Sequence, residues 1–199
     1  MKVSCIVLVG GKCRRLGRDK ALEIVGNKSL LERVLSTLSL ISDEIILVAA
    51  KGFDSLNLAS HPQVRKTTDI YFGKGPLGGI YSGLAHSRTL YNLVVACDMP
   101  FLSQLLLQYM IGLADGYDLV VPRLGNLVEP LHAIYSKRCL EPAENLLKEG
   151  KLSVSGLFSL VKVRYVEADE IDRFDPQHIS FFNVNTKADL EKAKELAGF

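Results

Sequence analysis

The sequence lacks long hydrophobic runs and has few residues suited to disulfides or metal clusters. No apolar run approaches the roughly 18 residues that a membrane-spanning helix needs, so we expect no membrane association. No small-residue cleavage site follows the first apolar run, so we expect no signal peptide and a soluble cytoplasmic protein. The four cysteines include no C-x-x-C pair, and the four histidines lack metal-ligand spacing. Both facts argue against a disulfide framework or a zinc site.

Basic and acidic residues are nearly equal in number over the whole chain, but the basic residues are concentrated in one segment. The formal net charge of +2 over 199 residues is too small to indicate nucleic-acid binding. Residues 12–20, in contrast, contain five basic residues and one acidic residue. The basic residues are Lys12, Arg14, Arg15, Arg18 and Lys20. They directly follow Gly10-Gly11 at the end of the first apolar run.

Short apolar runs alternate with helical patterns along the chain. We predict strands at residues 2–9, 44–50, 64–68, 91–97, 118–121, 130–135, 161–166 and 180–184. We predict helices at residues 30–40, 77–87, 104–113, 137–149 and 187–197, with Ser29, Ser103 and Thr186 as capping residues. This alternation indicates one α/β domain over residues 1–199, a Rossmann-like three-layer α/β/α fold. A reversed strand within 122–136 would make its mostly parallel sheet mixed.

Three segments are predicted to meet at the carboxyl ends of the strands, where open α/β sheets bind ligands: 10–20, 69–79 and 98–100. In the first segment the glycines let the backbone approach a ligand, and the neighbouring cations suit a polyphosphate. The segment matches neither the G-x-x-x-x-G-K-[ST] loop nor G-x-G-x-x-G, so nicotinamide binding is not supported. A solvated basic turn is the structural alternative.

Two aspartates at the ends of predicted strands are candidate ligand-binding residues. Asp69 could bind a ribose hydroxyl or a base edge, and an Asx-turn is the structural alternative. Asp98 follows a buried strand and is expected to face the cationic segment, where its carboxylate could hold Mg²⁺. A turn or helix-capping aspartate is the alternative for Asp98.

Together these motifs resemble the nucleotidyltransferases. The segment from Leu8 to Lys20 resembles their signature loop, and Asp98-Met99-Pro100 resembles their metal-binding motif. Within that superfamily the chain resembles the molybdenum cofactor guanylyltransferases at Gly-Pro-Leu-Gly-Gly (75–79), Glu-Pro-Leu (129–131) and Phe-Asn-Val-Asn-Thr (182–186). The resemblance therefore extends from residue 8 to residue 186, and it implies a fold like that of the nucleotide-diphospho-sugar transferases.

The resemblance implies transfer of GMP from GTP to molybdopterin, which yields the guanine dinucleotide cofactor and pyrophosphate. It implies Mg²⁺ held by Asp98, and catalytic roles for Arg15, Lys20 and Asp98. The implied nucleotide-binding residues are Leu8, Val9, Gly10, Gly11, Lys20, Asp69, Gly75 and Asp98. The resemblance places Asn183 and Asn185 on the molybdopterin side, and alternation at the end of the predicted strand puts both side chains on one face. The structural alternative is that the two asparagines only tie down the chain. Transient contacts with other molybdenum cofactor biosynthesis proteins or acceptor proteins are also implied.

Two departures from the family pattern leave the base preference open. Val9 stands where the family usually has alanine, and the second predicted strand ends Ala49-Ala50-Lys51, where related enzymes can carry asparagine. A cytidylyltransferase for the same pterin, or a sugar- or polyol-phosphate nucleotidyltransferase, is the nearest alternative. A catalytically inactive nucleotide-binding regulatory protein, or a scaffold that binds a partner through its basic loop, would be an alternative of another class.

Overall fold

The structure is a computed structural model that describes residues 1–9, 20–49 and 61–198. The strands are β1 (Val3–Val9), β2 (Ile24–Val25), β3 (Lys28–Ser29), β4 (Ile45–Ala49), β5 (Val64–Thr68), β6 (Tyr91–Ala96), β7 (Leu119–Leu124), β8 (Leu127–Val128), β9 (His132–Ser136) and β10 (Val163–Glu167). The α-helices are α1 (Leu30–Leu38), α2 (Gly75–His86), α3 (Gln104–Gly112), α4 (Leu140–Lys148), α5 (Ala168–Ile171) and α6 (Lys187–Leu196). No helix in these ranges is long and apolar enough to cross a membrane.

The central sheet is mostly parallel, with the strand order β10-β7-β9-β6-β1-β4-β5. Strands β6, β1, β4 and β5 pair in parallel, and β10 pairs in parallel with β7. Strand β9 runs antiparallel to both β6 and β7, and the short β8 pairs antiparallel with β7. The mixed sheet with a reversed strand in 122–136 is therefore confirmed. The reversal brings the turn before β9 to the same edge of the sheet as the carboxyl end of β6.

Helices cover both faces of the sheet because the central strands are apolar on both sides. Successive β1 side chains point to opposite faces, so Cys5 and Val7 join one buried cluster while Ile6 joins the other. On the first face the sheet packs against α1 and α3, and on the second against α2 and α4. Helix α2 approaches β1 so closely that a Cβ on Gly83 would overlap the Ile6 side chain. The three-layer α/β/α prediction is confirmed.

The helix caps predicted from the sequence are present. The Ser29 hydroxyl accepts a hydrogen bond from the Glu32 N–H, and the Glu32 carboxylate accepts one from the Ser29 N–H. Thr186 and Asp189 form the same reciprocal pair at the start of α6. These pairs satisfy backbone donors that a helix leaves without partners at its first turn.

The predicted strand at residues 180–184 is wrong. A 3-10 helix, Ile179–Phe181, occupies the start of this segment, and its backbone bonds locally: the Phe181 N–H donates to the His178 carbonyl at 3.2 Å and the Phe182 N–H to the Ile179 carbonyl at 3.0 Å. The Asp175 carboxylate accepts hydrogen bonds from the Ile179 and Ser180 N–H groups at 3.2 and 2.9 Å. Phe181 and Val184 are buried as a strand pattern requires, but they enter two different hydrophobic clusters. The sequence pattern also missed the β2–β3 hairpin and the short α5.

Candidate active site

A cavity of about 640 Å³ opens at the carboxyl ends of the four adjoining parallel strands. Its lining includes the predicted site residues Leu8, Val9, Asp69, Gly75, Asp98, Asn183 and Asn185. The predicted residues Gly10, Gly11 and Arg15, and the strand end at Ala50-Lys51, lie outside the described residues. The rule that open α/β sheets bind ligands at this edge therefore locates the cavity correctly.

A buried lysine, Lys20, contacts two residues that line this cavity, although it is not itself one of the lining residues. Lys20 begins a short 3-10 helix, Lys20–Leu22, and its side chain is only 4% exposed. Its ammonium lies 2.5 Å from Asp98 Oδ2 and donates a hydrogen bond of 2.8 Å to Asn185 Oδ1. A buried charge is tolerated only when it is paired and hydrogen-bonded, and both conditions are met here. The arrangement fixes a positive charge at the edge of the sheet.

Asp98 is held in place by backbone contacts on both sides. The Cys97 N–H donates to the Leu8 carbonyl at 3.2 Å, and the Val184 N–H donates to the Asp98 carbonyl at 3.0 Å. Asp98 Oδ1 is buried and finds no hydrogen-bond partner among the described residues. A carboxylate oxygen without such a partner, on a residue that lines a cavity, is a hard ligand of the kind that Mg²⁺ prefers. The residues present therefore fit a divalent cation.

The described chain offers few other protein ligands for such an ion. Within the described ranges, no group of three or more histidine, cysteine, aspartate or glutamate side chains is arranged to hold a metal. This is compatible with Mg²⁺ in particular, which is commonly bound by one or two carboxylates and completed by substrate phosphates and water.

Glu129 is a second carboxyl group near Asp98, and its position in the sequence predicts no role for it. It lies in the turn between β8 and β9, where its N–H donates to the Pro122 carbonyl and its carbonyl accepts from the His132 N–H, each at 3.1 Å. Burial and the negative charge of Asp98 raise the pKa of Glu129 above its ordinary value. The only sequence signal for this placement is the Glu-Pro-Leu motif (129–131), which lies within the segment 122–136 that is predicted to contain a reversed strand.

Asp69 forms the turn that its structural alternative predicted, and it also lines the cavity. Its Oδ1 accepts hydrogen bonds from the Tyr71 N–H at 3.0 Å and from the Ser82 hydroxyl at 2.8 Å. The Ser82 hydroxyl oxygen in turn accepts from the Ile70 N–H at 2.8 Å. Asp69 therefore ties the turn after β5 to α2. Its contact with a nucleotide stays a prediction.

The two asparagines do not lie on one face of a strand, because no strand forms there. Asn183 donates from Nδ2 to the Phe181 carbonyl at 3.1 Å, whereas Asn185 accepts from Lys20. Both line the cavity. Asn185 thus belongs to the group around the buried lysine, a grouping that the predicted strand did not anticipate. The pterin contact of both residues stays a prediction.

The structure is an α/β fold with a cavity at the carboxyl edge of its sheet, and comparisons with known proteins specify the class. Residues 5–165 match the family model described as "MobA-like NTP transferase domain", so the chain belongs to this family and is a nucleotidyltransferase. The protein named "Probable molybdenum cofactor guanylyltransferase" from Pelotomaculum thermopropionicum is 37% identical over 197 residues, covering 99% of this chain and 94% of the relative. That named "Molybdenum cofactor guanylyltransferase" from Desulfosudis oleivorans is 35% identical, covering 96% and 94%.

A solved structure supports the same placement. The crystal structure of molybdopterin-guanine dinucleotide biosynthesis protein A from Archaeoglobus fulgidus superposes with a TM-score of 0.85 at 29% identity, covering 98% of this chain and 99% of that one. Within the nucleotidyltransferases, the chain is therefore of the molybdenum cofactor guanylyltransferase type.

Proposed function

We propose that the protein transfers GMP from Mg-GTP to molybdopterin, which forms the guanine dinucleotide cofactor and releases pyrophosphate. The observation that carries this proposal is the buried Lys20 between Asp98 and Asn185 at the sheet edge. This group offers a fixed cation for phosphates and, for Mg²⁺, a carboxylate oxygen that has no hydrogen-bond partner in the described part of the chain. The names of the relatives supply the expected acceptor and base.

The proposed chemistry needs positioning and charge more than proton transfer. The attacking group would be a phosphate monoester, which is largely ionised at neutral pH and needs no general base. The barrier then comes mainly from repulsion between anions and from charge that develops on the pyrophosphate leaving group. Fixed charges at the site lower such a barrier without reorganisation during the reaction.

Each residue of the group has a distinct task in this proposal. Lys20 faces the phosphates and offsets their negative charge, and Asn185 holds its ammonium in position. Asp98 would hold Mg²⁺, which, when bound, neutralises charge on phosphate oxygens and on the leaving group. Arg15 would add a second cation, and Gly10 and Gly11 would bring backbone N–H groups to the nucleotide.

The test is pyrophosphate release with molybdopterin, Mg²⁺ and one of GTP, CTP or ATP. We expect release with GTP, incorporation of the α-phosphate of GTP into the pterin product, and loss of both when EDTA removes Mg²⁺. Lys20→Met, which keeps the length of the side chain and removes its charge, should slow release strongly. A preference for CTP would make the protein a cytidylyltransferase, and no release with any nucleotide would refute the proposal.

A further inference from the structure

Phe72 is a large apolar side chain that the hydrophobic core does not use. It is 62% exposed, yet it is one of the residues that line the cavity. The preceding residue behaves differently: Tyr71 packs edge-on against Tyr81, with ring centroids 5.1 Å apart, and donates from its hydroxyl to Glu144 at 3.2 Å. Tyr71 therefore anchors the turn, while the Phe72 ring stands at the mouth of the cavity.

The turn that carries Phe72 is fixed on several sides. Asp69 Oδ1 accepts from the Tyr71 N–H, and the Lys74 N–H donates to the Tyr71 carbonyl at 3.0 Å. Gly73 follows with a φ of +78°, a backbone conformation that residues other than glycine rarely adopt. A Cβ on Gly78 would lie 2.9 Å from the Tyr71 carbonyl oxygen, so α2 packs directly against this backbone. Phe72 is thus presented by a braced turn.

The cavity changes in chemical character along the sheet edge. Asp98 follows β6 and carries the charged group with Lys20, whereas Phe72 lies in the turn after β5, three strands away in the order β6-β1-β4-β5. At the usual spacing between strands this separation is roughly 14 Å. Between them the lining includes the apolar side chains of Leu8 and Val48. A ligand with phosphates at one end and a planar ring at the other matches this gradient.

We propose that the Phe72 ring stacks on the guanine base of GTP, which rests on the proposed function. Bases stack on aromatic side chains because both have polarisable flat faces. When the phosphates of GTP lie at the end of the cavity near Lys20 and Asp98, the base lies at the other end, beside Phe72. The ring therefore contributes to nucleotide affinity without contacting the reacting atoms. It selects for a planar base in general more than for guanine in particular.

The test compares the affinities of Mg-GTP and of inorganic tripolyphosphate for the whole protein and its variants. Phe72→Ala should weaken GTP binding about tenfold and leave tripolyphosphate binding within about twofold, because tripolyphosphate has no base. Ile70→Ala is the matched control: Ile70 is 54% exposed in the same turn, but it is not among the residues that line the cavity. The affinity of the Ile70→Ala variant for GTP should stay within about twofold of the affinity of the unmodified protein.

A second variant gives a direct signal. The natural chain contains no tryptophan, so Phe72→Trp introduces a single fluorophore at the proposed contact. Its emission should be quenched by GTP and unaffected by tripolyphosphate, and its affinity for GTP should match or exceed that of the natural protein.

Several results would overturn the inference. Equal losses for GTP and tripolyphosphate in Phe72→Ala would show that the ring only supports the turn. An unchanged affinity for GTP with a raised KM for the pterin would assign the ring to the other substrate. If the natural protein still releases pyrophosphate from GTP in either case, the proposed function stands and only the stacking contact fails.

Discussion

Replacing Asn185 with alanine tests whether the buried lysine and its amide partner act as one unit. The substitution removes the 2.8 Å hydrogen bond from the Lys20 ammonium to Asn185 Oδ1 and leaves the ion pair with Asp98. A hydrogen bond to a charged group contributes about 1.5–3 kcal/mol, and the surviving ion pair favours the lower end of that range. We therefore expect the free energy of unfolding to fall by about 1.5 kcal/mol.

The same change should weaken nucleotide binding. A lysine that has lost one of its two anchors must be ordered when the phosphates bind, at about 0.5–1.5 kcal/mol for a long side chain. That corresponds to a Kd for Mg-GTP raised roughly two- to tenfold, measurable by calorimetry without the pterin. Chemical denaturation of the same samples supplies the stability.

Asn183→Ala is the control for this experiment. Asn183 carries the same amide into the same cavity, but it donates its hydrogen bond to the Phe181 carbonyl and does not contact the lysine. Its affinity for Mg-GTP should stay within about twofold. If Asn185→Ala binds Mg-GTP normally and only its KM for the pterin rises, the lysine contact has no part in nucleotide binding and the reasoning is refuted.

Three further predictions concern the metal ligand, a buried histidine and a helix–strand contact. Asp98→Asn should slow pyrophosphate release a hundredfold or more, because it removes the carboxylate for Mg²⁺, and it should lower Tm, because it removes the charged partner of the buried Lys20 ammonium. Near-normal rates of release at saturating Mg²⁺ would contradict this prediction. Burial, partly offset by the Asp175 charge, lowers the pKa of His132 to about 4, and neither ring nitrogen has a hydrogen-bond partner among the described residues. Between pH 6.5 and 4 the unfolded chain binds a proton at His132 and the folded protein does not, so the free energy of unfolding should fall by up to about 3 kcal/mol as the pH is lowered through this range. Chemical denaturation at each pH measures this fall, which should be smaller in His132→Leu. Gly83→Ala should lower the free energy of unfolding by about 1–3 kcal/mol, because its new Cβ overlaps the Ile6 side chain. Gly112→Ala is the control and should not lower it, because no described atom lies within 4 Å of its new Cβ. An equal change in the free energy of unfolding for both variants would exclude the close contact between α2 and β1.

Local patterns predicted the parts of the fold that depend on local physics. The capping pair Ser29–Glu32 and strand β6 are predicted correctly, because a cap and a bounded apolar run are specified by neighbouring residues. Residues 180–184 were predicted as a strand because they form a short run rich in apolar residues, Ser-Phe-Phe-Asn-Val. The 3-10 turn of this segment depends on a carboxylate four and five residues earlier, which hydrophobic patterning does not detect.

The candidate site divides in the same way. Asp98 could be placed from the sequence because a residue that ends a buried parallel strand must lie at the ligand-binding edge. The contact of Lys20 with Asn185 could not, because 165 residues separate the two and only the complete fold brings them together. Phe72 was passed over because an aromatic residue in a turn carries no motif, and only its exposure beside the cavity distinguishes it.

The strand order gives the two walls of the cavity unequal rigidity. Strand β6, which leads to Asp98, is buried along its whole length and hydrogen-bonded to β1 and β9. Strand β5, which leads to the turn with Phe72, pairs only with β4 among the described strands and is partly exposed. Edge strands open at lower free energy than central ones, so amide hydrogens of β5 should exchange with solvent well before those of β6. Thermal fluctuations should therefore widen or narrow the cavity from the β5 side, while the end that contains Asp98 keeps its geometry.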